Sequence, residues 1–182
     1  MLGTGRFAVV RRGTYEFQKG KPMPAAFKII NGTTDGALSE SAANAIRREL
    51  ATASEIKGHP NIVSVYGCII LPEGAALMLE LLPDGTLSDL LRDTSQPVAW
   101  HLVRSLLQGV ATGMEALHGL PIPIVHRDLK ASNVLVAKRG GQTVAKIADF
   151  GLAKFNSVSA AKTYVLVWLS QLDFKFGDLD QR

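Results

Sequence analysis

Val125-His126-Arg127-Asp128-Leu129-Lys130-Ala131-Ser132-Asn133 places an acid, two cations and an amide within eight residues. On its own such a cluster reads as a solvated loop. Apolar residues close it on both sides, however: Ile124-Val125 before it and Val134-Leu135-Val136 after it. Loops that carry fixed chemistry are held by rigid elements in this way. The spacing predicts a long helix upstream and a short strand downstream.

Working outward, the strand at 134–136 turns at Arg139-Gly140-Gly141. It returns as a second strand over 144–148, ending in Asp149-Phe150-Gly151. That end delivers a carboxylate beside an apolar plug and a flexible glycine, although a plain turn has the same composition. Upstream, 98–119 reads as a helix with Leu102, Leu106, Val110, Met114 and Leu117 on one face, broken by Pro121 and Pro123. A short helix over 87–92 precedes it, after a turn at Pro83-Asp84-Gly85 that reads as a hinge. Before the hinge, strand patterns dominate. They cover 7–18 and 24–31, parted by a turn around Lys19-Gly20-Lys21-Pro22, and then 62–70 and 75–81, joined at Pro72-Glu73-Gly74. Between the two strand pairs, 41–57 is a helix capped by Ser39, with Ile46, Leu50, Ala53 and Ile56 at helical spacing, and Gly58-His59-Pro60 ends it.

Two further features carry chemistry. Gly3-x-Gly5-x-Phe7-Ala8-x-Val10 lets a strand–turn–strand backbone come close to phosphates and aim N–H groups at them. A strand follows it rather than a helix, so it is not the dinucleotide fingerprint, and no Gly-Lys-Ser/Thr ends it as in a Walker loop. Ala26-Phe27-Lys28 sets a cation inside a strand. Such a lysine either snorkels to an edge or meets phosphate oxygens while a carboxylate holds it, and Glu49 on the next helix is the natural partner.

Taken together, in this order and spacing, these segments resemble the protein kinase family from Leu2 to about Lys154. His59-Pro60-Asn61-Ile62-Val63 and the stretch 77–91 are similar to kinase segments at the fourth strand and the hinge. The resemblance implies an α+β, kinase-like two-lobed fold. Residues 1–82 would form a complete small lobe of antiparallel sheet plus one helix, 83–163 the first part of a helical large lobe, and 164–182 a divergent tail. It also implies ATP and Mg²⁺ as cofactors. Gly3 and Gly5 would lid the phosphates, while Lys28 would hold them and pair with Glu49. Asp149 and Asn133 would each bind Mg²⁺, Asp128 would orient the acceptor hydroxyl and take its proton, and Lys130 would neutralise the moving phosphoryl group. The adenine would lie between Val10 and Ala26 above and Leu135 below, its edge bonded by the backbone of Glu80 and Leu82, with Leu79 guarding the pocket behind. Lys130 favours Ser/Thr protein acceptors, since tyrosine-specific members usually carry alanine there. Lys130-Ala131-Ser132-Asn133 and Gly85-Thr86-Leu87 look most like the tyrosine-kinase-like branch.

The bulk properties agree. The 182 residues are 47% hydrophobic and 20% charged, a globular balance for one domain of ordinary size. The net charge of +4 is spread along the chain, so nucleic acid is not an expected partner. The single cysteine, Cys68, sits in an apolar stretch and reads as a core thiol, which suggests a reducing, cytoplasmic compartment. No transmembrane run and no signal peptide are expected; oligomeric state is open.

Three departures from the family pattern stand out. Ala8 replaces the third loop glycine. After Phe155 no Ala-Pro-Glu occurs, and Ser157, Ser159 and Thr163 stand where activation-segment phosphosites would be, with Arg127 as their usual partner. Without further large-lobe helices, the apolar face of the 98–119 helix is expected to lie uncovered and activity to be weak. The competing reading is therefore a truncated, non-catalytic module that binds ATP or a partner.

Overall fold

The structure, a computed structural model, describes residues 3–4, 8–18, 20–31, 33–34, 37–71, 74–95 and 98–155. Gly5, Phe7, the proposed phosphosites Ser157, Ser159 and Thr163 and the whole 164–182 tail lie outside the described residues.

The first half is an antiparallel sheet of order β1-β2-β3-β7-β6. These strands are β1 Gly3–Thr4, β2 Ala8–Gln18, β3 Lys21–Asn31, β6 Val65–Leu71 and β7 Gly74–Glu80, with a small separate hairpin of β4 Thr33–Thr34 and β5 Ala37–Leu38. Alternation decides the faces. On β3, Ala26, Lys28 and Ile30 stand opposite Leu79, Leu77 and Ala75 of β7. That side packs on helix α1, Glu40–Glu55, through a cluster of Ile30, Ala42, Ile46, Ala75 and Leu77.

β3 starts at Lys21, earlier than the expected 24, so the turn is tighter than Lys19 to Pro22. Pro22 and Pro24 lie within it, opposite Glu16 and Thr14. Being two positions apart, they point their donorless nitrogens the same way, and β7 pairs with β3 only from Ala25 onward. The strand tolerates both prolines because, among the described residues, no strand pairs with its second edge there.

Ser39 caps α1, its Oγ accepting from the Ala42 N–H at 3.3 Å. The fully buried positions are Ala42, Ile46, Glu49 and Thr52. The expected stripe of Ile46, Leu50, Ala53 and Ile56 is thus rotated, because the helix turns a carboxylate inward. Gly58, at φ +77°, closes the segment in a conformation that favours glycine.

Residues 61–64 tie the sheet to the second half. The Ile147 N–H donates to Asn61 O at 2.8 Å, the Val63 N–H to Ile147 O at 2.9 Å, and the Glu80 N–H to Ser64 O at 2.8 Å. The strand expected from 62 therefore begins only at Val65: residues 61–63 are already engaged with Ile147.

The 83–85 turn leads to α2, Leu87–Arg92, capped by a reciprocal Thr86–Asp89 pair. Then follow α3 Trp100–His118, β8 Ile124–Val125, a 3₁₀ turn at Ala131–Asn133, the hairpin β9 Val134–Arg139 and β10 Gln142–Ile147, and β11 Lys154–Phe155, which pairs with β8. Gly140 and Gly141 make the hairpin turn at φ +56° and +78°, as a two-residue turn requires.

The expectation of an uncovered α3 face is corrected. Leu106, Val110, Met114 and Leu117 are all buried, in one cluster with Ile62, Ile124, Val134, Val136, Ala145, Ile147 and Phe150. The hairpin and the 61–63 segment cover the face directly, and Val103 rather than Leu102 takes the inner position. Gly113 permits the approach: a Cβ there would stand 2.9 Å from the Asn61 carbonyl oxygen and 2.9 Å from Ile147 Cδ1. Among the described residues no helix is long and apolar enough to cross a membrane.

Candidate active site

Two polar clusters lie at and beside the junction between the halves. In the first, Lys28 Nζ donates to both Glu49 oxygens, at 2.9 and 3.2 Å, and to Asp149 Oδ1 at 2.7 Å. β3 aims the lysine inward, α1 supplies the glutamate and the end of the β10 segment supplies the aspartate. Burial pulls the Lys28 ammonium down, but the Glu49 and Asp149 carboxylates more than offset it and hold it above its usual value. Burial also pushes the Glu49 carboxyl up, with Lys28 opposing. With the ammonium held on, the ionised pair is the state the geometry favours. Burial would likewise raise Asp149, yet Lys28 wins and keeps it below the usual carboxylate range.

In the second cluster, Asp128 Oδ2 accepts from Lys130 Nζ at 2.7 Å and from Asn133 Nδ2 at 2.9 Å, while Asn133 Nδ2 also donates to the Asp128 carbonyl at 2.8 Å. Both donors converge on one carboxylate oxygen. The Asn133 amide nitrogen is thereby committed to Asp128, and its Oδ1 lies on the other side of the group.

Main-chain bonds join the clusters. The Ala148 N–H donates to Asn133 O at 2.9 Å, so the residue before Asp149 is fastened to the 126–133 loop. His126 fastens it again. Its Nδ1 accepts from the Asp128 N–H at 3.3 Å, which leaves Nε2 as the donor to Ala148 O at 2.9 Å. Burial holds His126 below its usual value, in keeping with that neutral ring. The ring lies 4.9 Å from that of Phe150, which is buried in the α3 core. Arg127 and Asp149 both adopt left-handed backbone, at φ 64° and 67°. Non-glycine residues pay about 1–3 kcal/mol for such conformations, which cluster at functional sites. The Arg127 conformation is anchored by Nε donating to Leu152 O at 2.6 Å.

The apolar candidates lie toward the hinge. Leu82 belongs to a cluster with Val63 and Ala137, against which Leu79 and Leu135 pack. Ala26 is opposite Leu79, and Val10 is opposite Lys28 in the β2–β3 register. Gly3 pairs with Val10, whereas Gly5 is outside the described residues. Cys68 is half-buried against the α1-facing core.

Sequence reasoning missed Lys146. Its Nζ meets both carboxylate oxygens of Glu80, at 3.0 and 2.7 Å, in a buried pair. The signal was present: like Lys28, it is a lysine between apolar residues in a strand, Ala145-Lys146-Ile147. Asn61 was also missed as a linker; its Nδ2 donates to Ala145 O at 2.9 Å.

A two-part α+β architecture whose junction holds a paired lysine, an acid–cation–amide loop and a strand-end carboxylate has the makings of a site for a phosphorylated ligand and a divalent ion. The family model described as protein tyrosine and serine/threonine kinase matches residues 1–171. The putative serine/threonine-protein kinase/receptor R826 of Acanthamoeba polyphaga mimivirus is 32% identical over 163 residues, 89% of this chain and 9% of that protein. Mitogen-activated protein kinase kinase kinase 1a of Physcomitrium patens is 34% identical over 170 residues, 90% of this chain and 20% of its own length. Mitogen-activated protein kinase kinase kinase 10 of Mus musculus is 32% identical over 180 residues, 93% and 18% respectively. This chain belongs to the protein kinase family. It spans a fifth or less of the length of each of these three relatives.

Proposed function

We propose that the chain transfers the γ-phosphate of ATP to serine or threonine hydroxyls of protein substrates, as a member of the tyrosine-kinase-like branch. The small lobe would be 1–82 and the large-lobe portion 83–163, with 164–182 as a tail. The observation that carries this reading is the convergence of Lys28 Nζ on Glu49 and Asp149, at 2.9 and 2.7 Å, from three separate elements. An inward lysine held by a buried glutamate is a fixed cation for phosphate oxygens, and phosphoryl transfer asks mainly for such alignment and charge.

The residues present fit Mg²⁺. Asp149 offers an ionised, 45% exposed carboxylate, and Asn133 an amide oxygen whose partner nitrogen is already engaged; hard oxygen donors of this kind suit magnesium together with phosphate oxygens. When bound, the ion supplies charge neutralisation at the β- and γ-phosphates. Lys28 would hold the α- and β-phosphates under Gly3 and Gly5, and Val10, Ala26 and Leu135 would enclose the adenine, whose edge meets the backbone of Glu80 and Leu82. Asp128 would orient the acceptor hydroxyl and receive its proton as the oxygen attacks the γ-phosphorus and the bond to ADP breaks. Lys130, already 2.7 Å from Asp128, would stabilise the transferring group. The lone Cys68 supports a reducing, cytoplasmic setting, and the relatives' names support a place in signalling.

The test is phosphotransfer from labelled ATP to a generic basic protein, comparing the unchanged chain with Asp128→Asn, alongside Mg·ATP thermal shift. Turnover should fall by about a hundredfold or more, with the nucleotide-induced shift retained. A folded protein whose melting ignores millimolar Mg·ATP sinks the assignment. Binding without any turnover in the unchanged chain refutes the transfer step and leaves a nucleotide-binding module.

A further inference from the structure

The Lys146–Glu80 pair belongs to neither polar cluster described above, and both side chains are withdrawn from solvent, at 4% and 9% exposure. Replacing a buried pair by apolar residues of like volume is often neutral or stabilising, so stability alone gives a weak reason for one here. Its location gives a better one. Glu80 ends β7, separated by two residues from the 83–85 hinge turn, and Lys146 lies on β10 opposite Leu135, the residue proposed as the floor of the adenine pocket.

Lys146 stands on a fixed frame. Its neighbours Ala145 and Ile147 are both bonded to Asn61, at 2.9 and 2.8 Å. From that frame Nζ grips both oxygens of Glu80, and the Ser64 N–H donates to the same carboxylate at 3.2 Å. Glu80 is thus clamped through its side chain from the large-lobe strand and through its N–H by Ser64 O. The residue whose carbonyl would face the adenine is indexed to the same strand that leads to Asp149, and not to the small-lobe sheet alone.

We infer that Lys146 is a positioning residue for adenine: by clamping the Glu80 side chain it fixes the main-chain carbonyl that accepts from the base. This rests on the ATP-site reading above. The clamp acts on the base end of the nucleotide only; the phosphate end is held by Lys28 and Asp149, which Lys146 does not touch.

The experiment uses two probes on the full chain, adenosine for the base end and Mg·tripolyphosphate for the phosphate end, read by thermal shift or calorimetry. Lys146→Met should weaken adenosine about tenfold, the loss of roughly one hydrogen bond, and leave Mg·tripolyphosphate within about twofold. Glu80→Gln keeps an acceptor for Ser64 but breaks the ion pair, and should show the same one-sided loss; it also stands in if Lys146→Met fails to fold. Lys146→Arg keeps a cation for the carboxylate and should restore adenosine binding to within about threefold. Variants with lower melting temperature but unchanged adenosine affinity overturn the inference, as does equal loss of both probes, which marks a purely structural pair. An unchanged chain that binds tripolyphosphate but no adenosine refutes the adenine reading itself, and the inference with it.

Discussion

Lys28→Met keeps most of the side-chain stem and removes the ammonium, which isolates one charge in the core. Glu49 is 2% exposed and has both oxygens bonded to Lys28. Removing one member of a buried pair costs about 3–5 kcal/mol, because the other is left uncompensated. Asp149, the second partner, is 45% exposed, so water replaces the lost ammonium there and adds little. The expected cost is therefore about 3 kcal/mol, a large share of the 5–15 kcal/mol typical of a domain. The pH dependence has a defined sign. Burial already pushes the Glu49 carboxyl up, and Lys28 is the main opposing influence; without it the folded-state value climbs further above the unfolded one. Such a group contributes stability below its unfolded pKa and loses it as pH rises through the folded pKa. The penalty of Lys28→Met should thus be smaller near pH 5.5 and larger near pH 8, as Glu49 ionises without a counter-charge. Urea denaturation at the two pH values measures it, and Mg·ATP thermal shift in parallel should show nucleotide binding lost at both. A cost under about 1 kcal/mol that is the same at both pH values would falsify the buried-pair account.

Gly113→Ala in an open helix would gain about 1 kcal/mol of propensity. Here the new methyl meets the Asn61 carbonyl oxygen at 2.9 Å, and overpacking of about 1–3 kcal/mol should win, lowering the urea midpoint; a raised midpoint refutes the close approach. His126 is held below its ordinary value of 6.5, chiefly by burial. The unfolded chain then binds the extra proton first, so the stability His126 contributes is present above about pH 6.5 and is lost as pH falls below it. An NMR titration should find the His126 midpoint below 6.5, and a midpoint at or above 6.5 contradicts the buried neutral tautomer.

Local pattern made much of this legible. The cap at Ser39, the short helix at 87–92, the glycine turn at 140–141 and the strand that ends at Asp149 are each written in a few neighbouring residues, and the polar motifs sit at their ends. The α3 cover was not legible, because it comes from the β9–β10 hairpin together with residues 61–63, whose pairing with Ile147 spans more than eighty positions and leaves no periodic trace. The same partners delayed β6 to Val65. The rotation of α1 about its axis is hidden from the sequence for a related reason. Apolar spacing centres a helix on its hydrophobic residues, but the tertiary partner Lys28 requires Glu49 to face inward, and one buried ion pair outweighs the choice between Leu50 and Ala53.

Lys28 and Lys146 show where that limit lies. Each is a strand lysine flanked by apolar residues, and locally the two are equivalent. An inward cation in a sheet must find a carboxylate, so two such lysines call for two buried acids, and Glu49 and Glu80 are both among the buried residues. The number of buried acids follows from the pattern; their pairing follows only from topology. Glu49 reaches Lys28 because α1 packs against the inner face of β3. Glu80 reaches Lys146 because the 61–64 segment bonds to Ile147 on one side and to Glu80 on the other. Exchanging the pairings would require undoing that segment, so the linker residues Asn61 and Ser64, which carry no charge, decide which lysine meets Glu49 and Asp149 and which is committed to Glu80.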